Sequence, residues 1–159
     1  IVVFTSDHGQ GLGEYGFSGH TNTTYLDEIS TPLIIYEKGP SILNKGNAIS
    51  FGNHLDVAPT ITDLLGIPTP EVWQGESVFK PRKTNYIFQQ ENEYYSCIWP
   101  TQNTLYQYVY NSRKKTEEVF NINLTVRHPA KNIIDQFREN DLNIVKNKLE
   151  LFYSIKIVK

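Results

Sequence analysis

The sequence predicts an α/β fold on three observations. Short apolar runs at Ile1-Val2-Val3-Phe4 and Thr31-Pro32-Leu33-Ile34-Ile35-Tyr36 read as buried-type strands. Residues 56–65 carry apolar side chains at helical spacing. After about residue 84 aromatic and β-branched segments alternate with polar, turn-prone ones, the pattern of a small antiparallel sheet.

Each element follows from its residues. Residues 1–7 read as a central strand, and Gly39-Pro40 closes the second strand. Between them residues 9–24 form a Gly-rich loop, too irregular for a regular element. Residues 41–53 read as a surface loop. The helix over 56–65 takes Asp56 as N-cap and tolerates Pro59 in its first turn. It buries Val57, Ile61, Leu64 and Leu65 and stops at Gly66. The later strands are Tyr86-Ile87-Phe88, Tyr94-Tyr95-Ser96-Cys97-Ile98 and Leu105-Tyr106-Gln107-Tyr108-Val109-Tyr110, with Glu117-Glu118-Val119-Phe120 ending the sheet. Their aromatics read as core of the small sheet rather than as an exposed sugar- or partner-binding surface. From Pro129 onward Ile133, Ile134, Phe137, Leu142, Val145, Leu149 and Phe152 recur at helical spacing, predicting one or two helices with a break near Asn140.

Composition narrows the function classes. The chain has 159 residues, 39% hydrophobic and 20% charged, enough to bury a core. A net charge of −2 gives no electrostatic case for nucleic acid or an anionic membrane. No apolar run reaches the length of a membrane-spanning helix. Cys97 is the single cysteine, so no intrachain disulfide forms, and Cys97 reads as a small buried hydrophobe. Compartment stays open: periplasmic, extracellular and cytoplasmic settings all fit. The sequons at Asn22-Thr23-Thr24 and Asn123-Leu124-Thr125 would be acceptors only in a eukaryotic secretory protein. The chain contains no Met and opens inside a strand pattern, so it is expected to be the C-terminal part of a larger protein.

Chemistry concentrates in one stretch. The first strand runs into Thr5-Ser6-Asp7-His8-Gly9, five glycines lie between positions 9 and 19, and Gly19-His20 follows. Open α/β sheets place active sites at the C-terminal ends of their strands. A carboxylate oxygen and an imidazole nitrogen together suit a divalent cation. Gly11-Leu12-Gly13-Glu14-Tyr15-Gly16 also fits the dinucleotide pattern Gly-x-Gly-x-x-Gly, but Phe17-Ser18-Gly19-His20-Thr21-Asn22 is a poor helix start, which that mechanism requires. His54 and His128 read as structural or surface residues.

These residues carry a family resemblance. Thr5-Ser6-Asp7-His8-Gly9, Leu12-Gly13-Glu14-Tyr15-Gly16, Gly19-His20, Tyr25, Glu28 and Thr31-Pro32-Leu33-Ile34-Ile35 resemble the second half of a sulfatase and, more broadly, the alkaline phosphatase superfamily. His54-Leu55-Asp56-Val57-Ala58-Pro59-Thr60 is similar to the family's Asp-x-x-Pro-Thr helix, and Gln74-Gly75-Glu76-Ser77 to the Gly-x-Ser segment after it. Glu117-Glu118-Val119-Phe120-Asn121-Ile122 resembles a segment near these enzymes' ends, though His128 stands where an Asp would precede Pro129.

The resemblance implies part of an alkaline phosphatase-like sandwich sheet plus a small C-terminal antiparallel sheet with a helix. Residues 1–80 would belong to the catalytic α/β domain and residues 81–159 to a small C-terminal α+β subdomain. It implies metal-dependent hydrolysis of sulfate esters, with Asp7 and His8 as metal ligands and His20 as the catalytic residue. His20 would hydrogen-bond an ester oxygen, protonate the leaving group or ligate a second metal, and the sequence leaves these open. Gln10 departs from the Glu common there. Calcium is the metal expected of a sulfatase. Manganese or zinc is expected if the parent is a phosphodiesterase, phosphonate hydrolase or phospho-group transferase of the same superfamily. The partner would be a small sulfate- or phosphate-ester molecule or carbohydrate, with oligomerisation open. No Cys-x-Pro-x-Arg or Ser-x-Pro-x-Arg nucleophile motif occurs in these residues, so this chain alone is expected to be inactive. A non-catalytic binding or scaffold module is the alternative of a different class.

Overall fold

Most of the expected elements form, as a mixed α/β arrangement with a four-stranded antiparallel sheet. A computed structural model describes residues 1–39, 51–101, 104–122 and 131–157. The expected 41–53 loop lies largely outside the described residues, as do His128 and the sequon at Asn123. The chain divides into two compact units, each discontinuous in sequence: residues 1–4 with 33–87, and residues 5–32 with 88–159. Among the described residues no helix is long and apolar enough to cross a membrane.

In the first unit β1 (Val2–Thr5) pairs with β4 (Leu33–Tyr36) in a two-stranded sheet. The apolar runs do form strands, but their alternate side chains Val2, Phe4, Ile34 and Tyr36 are exposed. Helix α2 (Val57–Leu64) buries Pro59, Thr60 and Leu64, and its chain turns off at Gly66 with φ 66°. Asp56 stands at the expected N-cap position of α2, but its side chain does not cap that helix. A 3-10 turn, His54–Asp56, precedes the helix, and Asn53 caps that turn by accepting from Leu55 N at 2.8 Å. Asp56 makes no side-chain cap bond to α2. Its carboxylate is buried and accepts instead from Asn53 N, Glu76 N and Arg82 Nη1 at 2.8, 2.8 and 2.7 Å. One turn on, Thr60 Oγ1 accepts from Val78 N at 3.1 Å. The Asp-x-x-Pro-Thr pattern thus fastens residues 76–82 along α2, since a buried carboxylate and hydroxyl each need partners.

The second unit is built on β5 (Ile87–Glu91), β6 (Tyr94–Pro100), β7 (Leu105–Asn111) and β8 (Thr116–Ile122), hydrogen-bonded in that order. The first strand continues through Gln89 and Gln90, which the sequence reading took as separators; the turn comes at Asn92, whose φ is 50°. Strand pairing sets two faces. Ser96 opposes Val109, which opposes Glu118, while Cys97 opposes Tyr108, which opposes Val119. Because side chains alternate along a strand, Tyr94, Val109 and Phe120 share one face and Cys97, Tyr108 and Val119 the other. Helix α3 (Glu139–Tyr153), preceded by a 3-10 turn at Ile134–Gln136, covers the second face. It buries Leu142, Val145 and Leu149, stacks Tyr153 edge-on to Tyr95, and pairs Lys146 with the buried carboxylate of Glu117. Burial pushes the Cys97 thiol up to about 12, which keeps it protonated and inert.

The first face holds the Gly-rich segment. Tyr25 packs with Tyr94, Val109 and Phe120, and Tyr15 and Phe17 press against the same cluster. The rings of Tyr15 and Tyr25 stack at 4.6 Å, and Phe120 meets Tyr25 edge-on at 5.7 Å. Tyr25 donates its hydroxyl hydrogen to Glu118, and Gln107 Nε2 donates to Thr24 O at 2.6 Å. On this face Tyr94 and Phe120 are therefore core, and what they bury is the loop.

Candidate active site

Asp7 and His8 follow β1 in the chain and sit in a segment zipped to a short helix, α1 (Leu26–Ile29). Gly9 N donates to Glu28 O at 2.7 Å and Gln10 N to Asp27 O at 2.9 Å. The approach is close enough that a Cβ on Gly9 would lie 2.1 Å from Asp27 O, so only glycine fits after His8. The expectation of an irregular loop is corrected next. Residues Gly11–Leu12 (β2) and Ser18–Gly19 (β3) pair as a miniature antiparallel hairpin, with Gly11 opposite Gly19. Gly13 and Gly16 take φ of 109° and 81° in its turn, a conformation other residues rarely adopt. The Gly-x-Gly-x-x-Gly pattern lies in this hairpin and opens no helix.

Closure of the hairpin returns residue 20 to residue 8. The imidazoles of His8 and His20 stack with ring centres 4.2 Å apart and planes inclined by 25°. Asp7 Oδ2 lies 3.7 Å from His8 Nε2, and Asp7 is largely exposed. The Asp7 carboxyl is held below its usual range by its own and His8's backbone N–H groups first, with the His8 and His20 rings adding to this. Asp7, His8 and His20 are thus brought together.

The tautomer of His8 follows from one contact. Its Nδ1 lies 2.7 Å from the Gly9 carbonyl oxygen, which can only accept, so Nδ1 carries the hydrogen in this bond. In the neutral ring Nε2 then presents a lone pair on the side of Asp7. Two donors about 2.1 Å from one tetrahedral cation lie about 3.4 Å apart, close to the observed separation. The pair fits two positions of a cation's coordination sphere. Among the described residues no three His, Cys, Asp or Glu side chains are grouped to hold a metal, so the pair is a partial donor set.

Asp7 and His8 open onto a cleft of about 370 Å³, lined also by Thr21, Thr23, Glu28 and residues 88–91 of β5. Glu28 is buried, and its carboxylate takes Asn22 N at 2.8 Å, Thr23 N at 3.2 Å and Thr23 Oγ1 at 3.0 Å. Sequence reasoning named Glu28 only as part of a resemblance. The available signal was an acidic residue in an apolar setting one turn past Tyr25. The contribution of β5, more than sixty residues away, had no signal at all.

The Sulfatase family matches residues 1–67, a span that contains Asp7, His8 and His20. An extracellular sulfatase SULF-1 homolog of Drosophila melanogaster is 32% identical over 77 residues, 48% of this chain and 7% of that protein. The multifunctional alkaline phosphatase superfamily protein PehA of Trinickia caryophylli is 32% identical over 78 residues, 49% of this chain and 15% of that protein. A 2,3-bisphosphoglycerate-independent phosphoglycerate mutase of Microcystis aeruginosa is 34% identical over 84 residues, 50% of this chain and 16% of that protein. The chain therefore matches only a small part of the length of these relatives. Through residues 1–67 it is similar to sulfatase-like proteins of the alkaline phosphatase superfamily.

Proposed function

We propose that this chain carries the Asp-His part of the active site of a metal-dependent sulfatase-type hydrolase that cleaves sulfate esters. The observation that carries the reading is the convergence of Asp7, His8 and His20 within the segment matched by the Sulfatase family. A bound divalent cation would polarise the ester oxygens and lower the nucleophile's pKa. Asp7 would offer a carboxylate oxygen to that ion. His8 would offer Nε2, its ring fixed by the Nδ1 bond to Gly9 O, an arrangement typical of ligating histidines. His20, packed against His8, would direct a ring N–H at an ester oxygen or the leaving group. The nucleophile and the remaining ligands would come from residues other than these. Calcium is the cation of the sulfatase reading.

A second reading, phosphoryl transfer with manganese or zinc, draws on the likeness to phosphoglycerate mutase and on the imidazole donor, which suits those ions better than calcium. Titrating the protein with calcium, zinc and manganese chlorides while observing the His8 ring nitrogens by NMR tests both. A cation-dependent shift or broadening at His8 that disappears in Asp7→Asn is the expected result, with the preferred ion separating the two readings. A His8 signal indifferent to millimolar amounts of all three ions would overturn the metal role.

A further inference from the structure

The turn that carries His20 is held in a conformation its own sequence disfavours. Thr21 has φ 62°, in the left-handed region where a β-branched residue is an outlier. Such a conformation persists only where the surroundings over-determine it, and such outliers gather at functional sites. Two side chains supply the constraint. The buried carboxylate of Glu28 receives Asn22 N and Thr23 N on Oε2 and Thr23 Oγ1 on Oε1. From the opposite side Asn92, in the turn between β5 and β6, donates Nδ2–H to Thr21 O at 2.7 Å. Asn92 and Glu28 thus hold the Thr21–Asn22 peptide from its carbonyl and its N–H, and Glu28 also holds Thr23. Within the turn, Thr21 Oγ1 and Asn22 Nδ2 both donate to His20 O, at 2.7 and 3.2 Å.

We infer that Glu28 and Asn92 are positioning residues, which clamp Thr21 in its left-handed conformation and thereby set the His20 ring against His8. Neither touches the His20 ring; both act through the backbone that follows it. The burial of Glu28 makes its clamp strong, because a desolvated carboxylate satisfied by three donors resists the loss of any one of them. The importance of this to catalysis rests on the reading of His20 as a site residue. The clamp itself is tested without metal or substrate, so its failure is distinguishable from a failed metal titration.

The readout is the proton NOE between the His8 and His20 rings, with the backbone amides of β6 to β8 reporting on the fold. In Glu28→Ala the acceptor for Asn22 N and Thr23 N is removed, and the ring contact is expected to be lost while the sheet amides stay in place. Adding Thr21→Gly, which removes the penalty at φ 62°, should restore the contact. Asn92→Gly keeps a residue suited to φ 50° but deletes the bond to Thr21 O. It is expected to fold normally and to weaken the ring contact, and it decides the matter if Glu28→Ala does not fold. An undiminished NOE in Asn92→Gly, or in a folded Glu28→Ala, overturns the inference. So does a double variant that regains the fold without the ring contact.

Discussion

Gly9→Ala tests the link between the loop's packing and the site. An added Cβ would sit 2.1 Å from Asp27 O and 2.9 Å from Ser30 O, both backbone atoms that cannot rotate away. Ordinary contact would require the residue 8–10 strand to retreat from α1 by more than 1 Å, roughly the gap to normal packing distances. Retreat of that size also stretches the bonds from Gly9 N to Glu28 O and from Gln10 N to Asp27 O. Overpacking costs about 1–3 kcal/mol. Two weakened hydrogen bonds add about 1 kcal/mol. We therefore expect a loss of about 2–4 kcal/mol. With a urea slope of about 2 kcal/mol/M, this lowers the unfolding midpoint of the β6–β8 amides by about 1–2 M. The same displacement carries His8, whose Nδ1 is bonded to Gly9 O, away from His20. A midpoint within about 0.25 M of the parent's, with the ring contact intact, would refute the reasoning, since it would mean the loop accommodates a methyl group without moving.

Other outcomes follow from the same contacts. Asp56→Ala should cost about 3–5 kcal/mol in urea unfolding of the first unit, because it strips a buried Arg82 guanidinium of its carboxylate and orphans two backbone donors; a change under 1 kcal/mol would show the network to be dispensable. Burial above all, with the charges of Glu14 and Glu28 adding, raises the Asp27 carboxyl from 3.8 to about 6. A raised acid pKa favours the fold below pH 3.8 and loses that contribution as pH rises through about 6. Asp27→Asn, which retains an acceptor for Glu28 N, should therefore leave stability unchanged at low pH and raise it at pH 8. The gain is about 1 kcal/mol after discounting for solvent screening of a half-buried group. A gain that does not grow with pH between these limits would contradict the assignment.

The legible parts of the sequence were those fixed by local pattern. Apolar runs and β-branched, aromatic segments located the strands, and helical spacing located α2 and α3, because these patterns reflect local burial. Asp7-His8 and Gly19-His20 could be singled out because few residue types bind cations and because glycine concentration marks unusual backbone. Asp56 takes the expected N-cap position without capping α2, for a physical reason. A carboxylate before a helix is normally a cap, but the buried guanidinium of Arg82 and Glu76 N outcompete that role from twenty or more residues away. The hairpin between residues 11 and 19 was missed because two-residue strands leave no period to detect. Gln89 and Gln90 were read as breakers, yet β5 accommodates them: Gln89 Oε1 accepts from Ser96 Oγ at 2.9 Å on the neighbouring strand.

Why the site's geometry could not be read in the same way is itself informative. The hairpin is too small to be stable alone, since even a full isolated hairpin is marginal in water. Its order comes from Tyr15, Phe17 and Tyr25 lodged against Tyr94, Val109 and Phe120, and from Gln107 donating to Thr24 O. Aromatic pairs of this kind contribute about 0.5–1.5 kcal/mol each beyond burial. Together with a buried amide bond they exceed what the hairpin's own ladder can supply. The chemistry-bearing side chains thus sit on residues 7–20, while the surface that holds their backbone in place sits on residues 94–120. Tyr94, Tyr108 and Tyr110, which composition alone shows only as parts of a β-rich aromatic region, divide between this role and the seat of α3 according to strand register. A motif names the groups that can do the chemistry. The distances between them are set by a sheet whose sequence bears no trace of that chemistry.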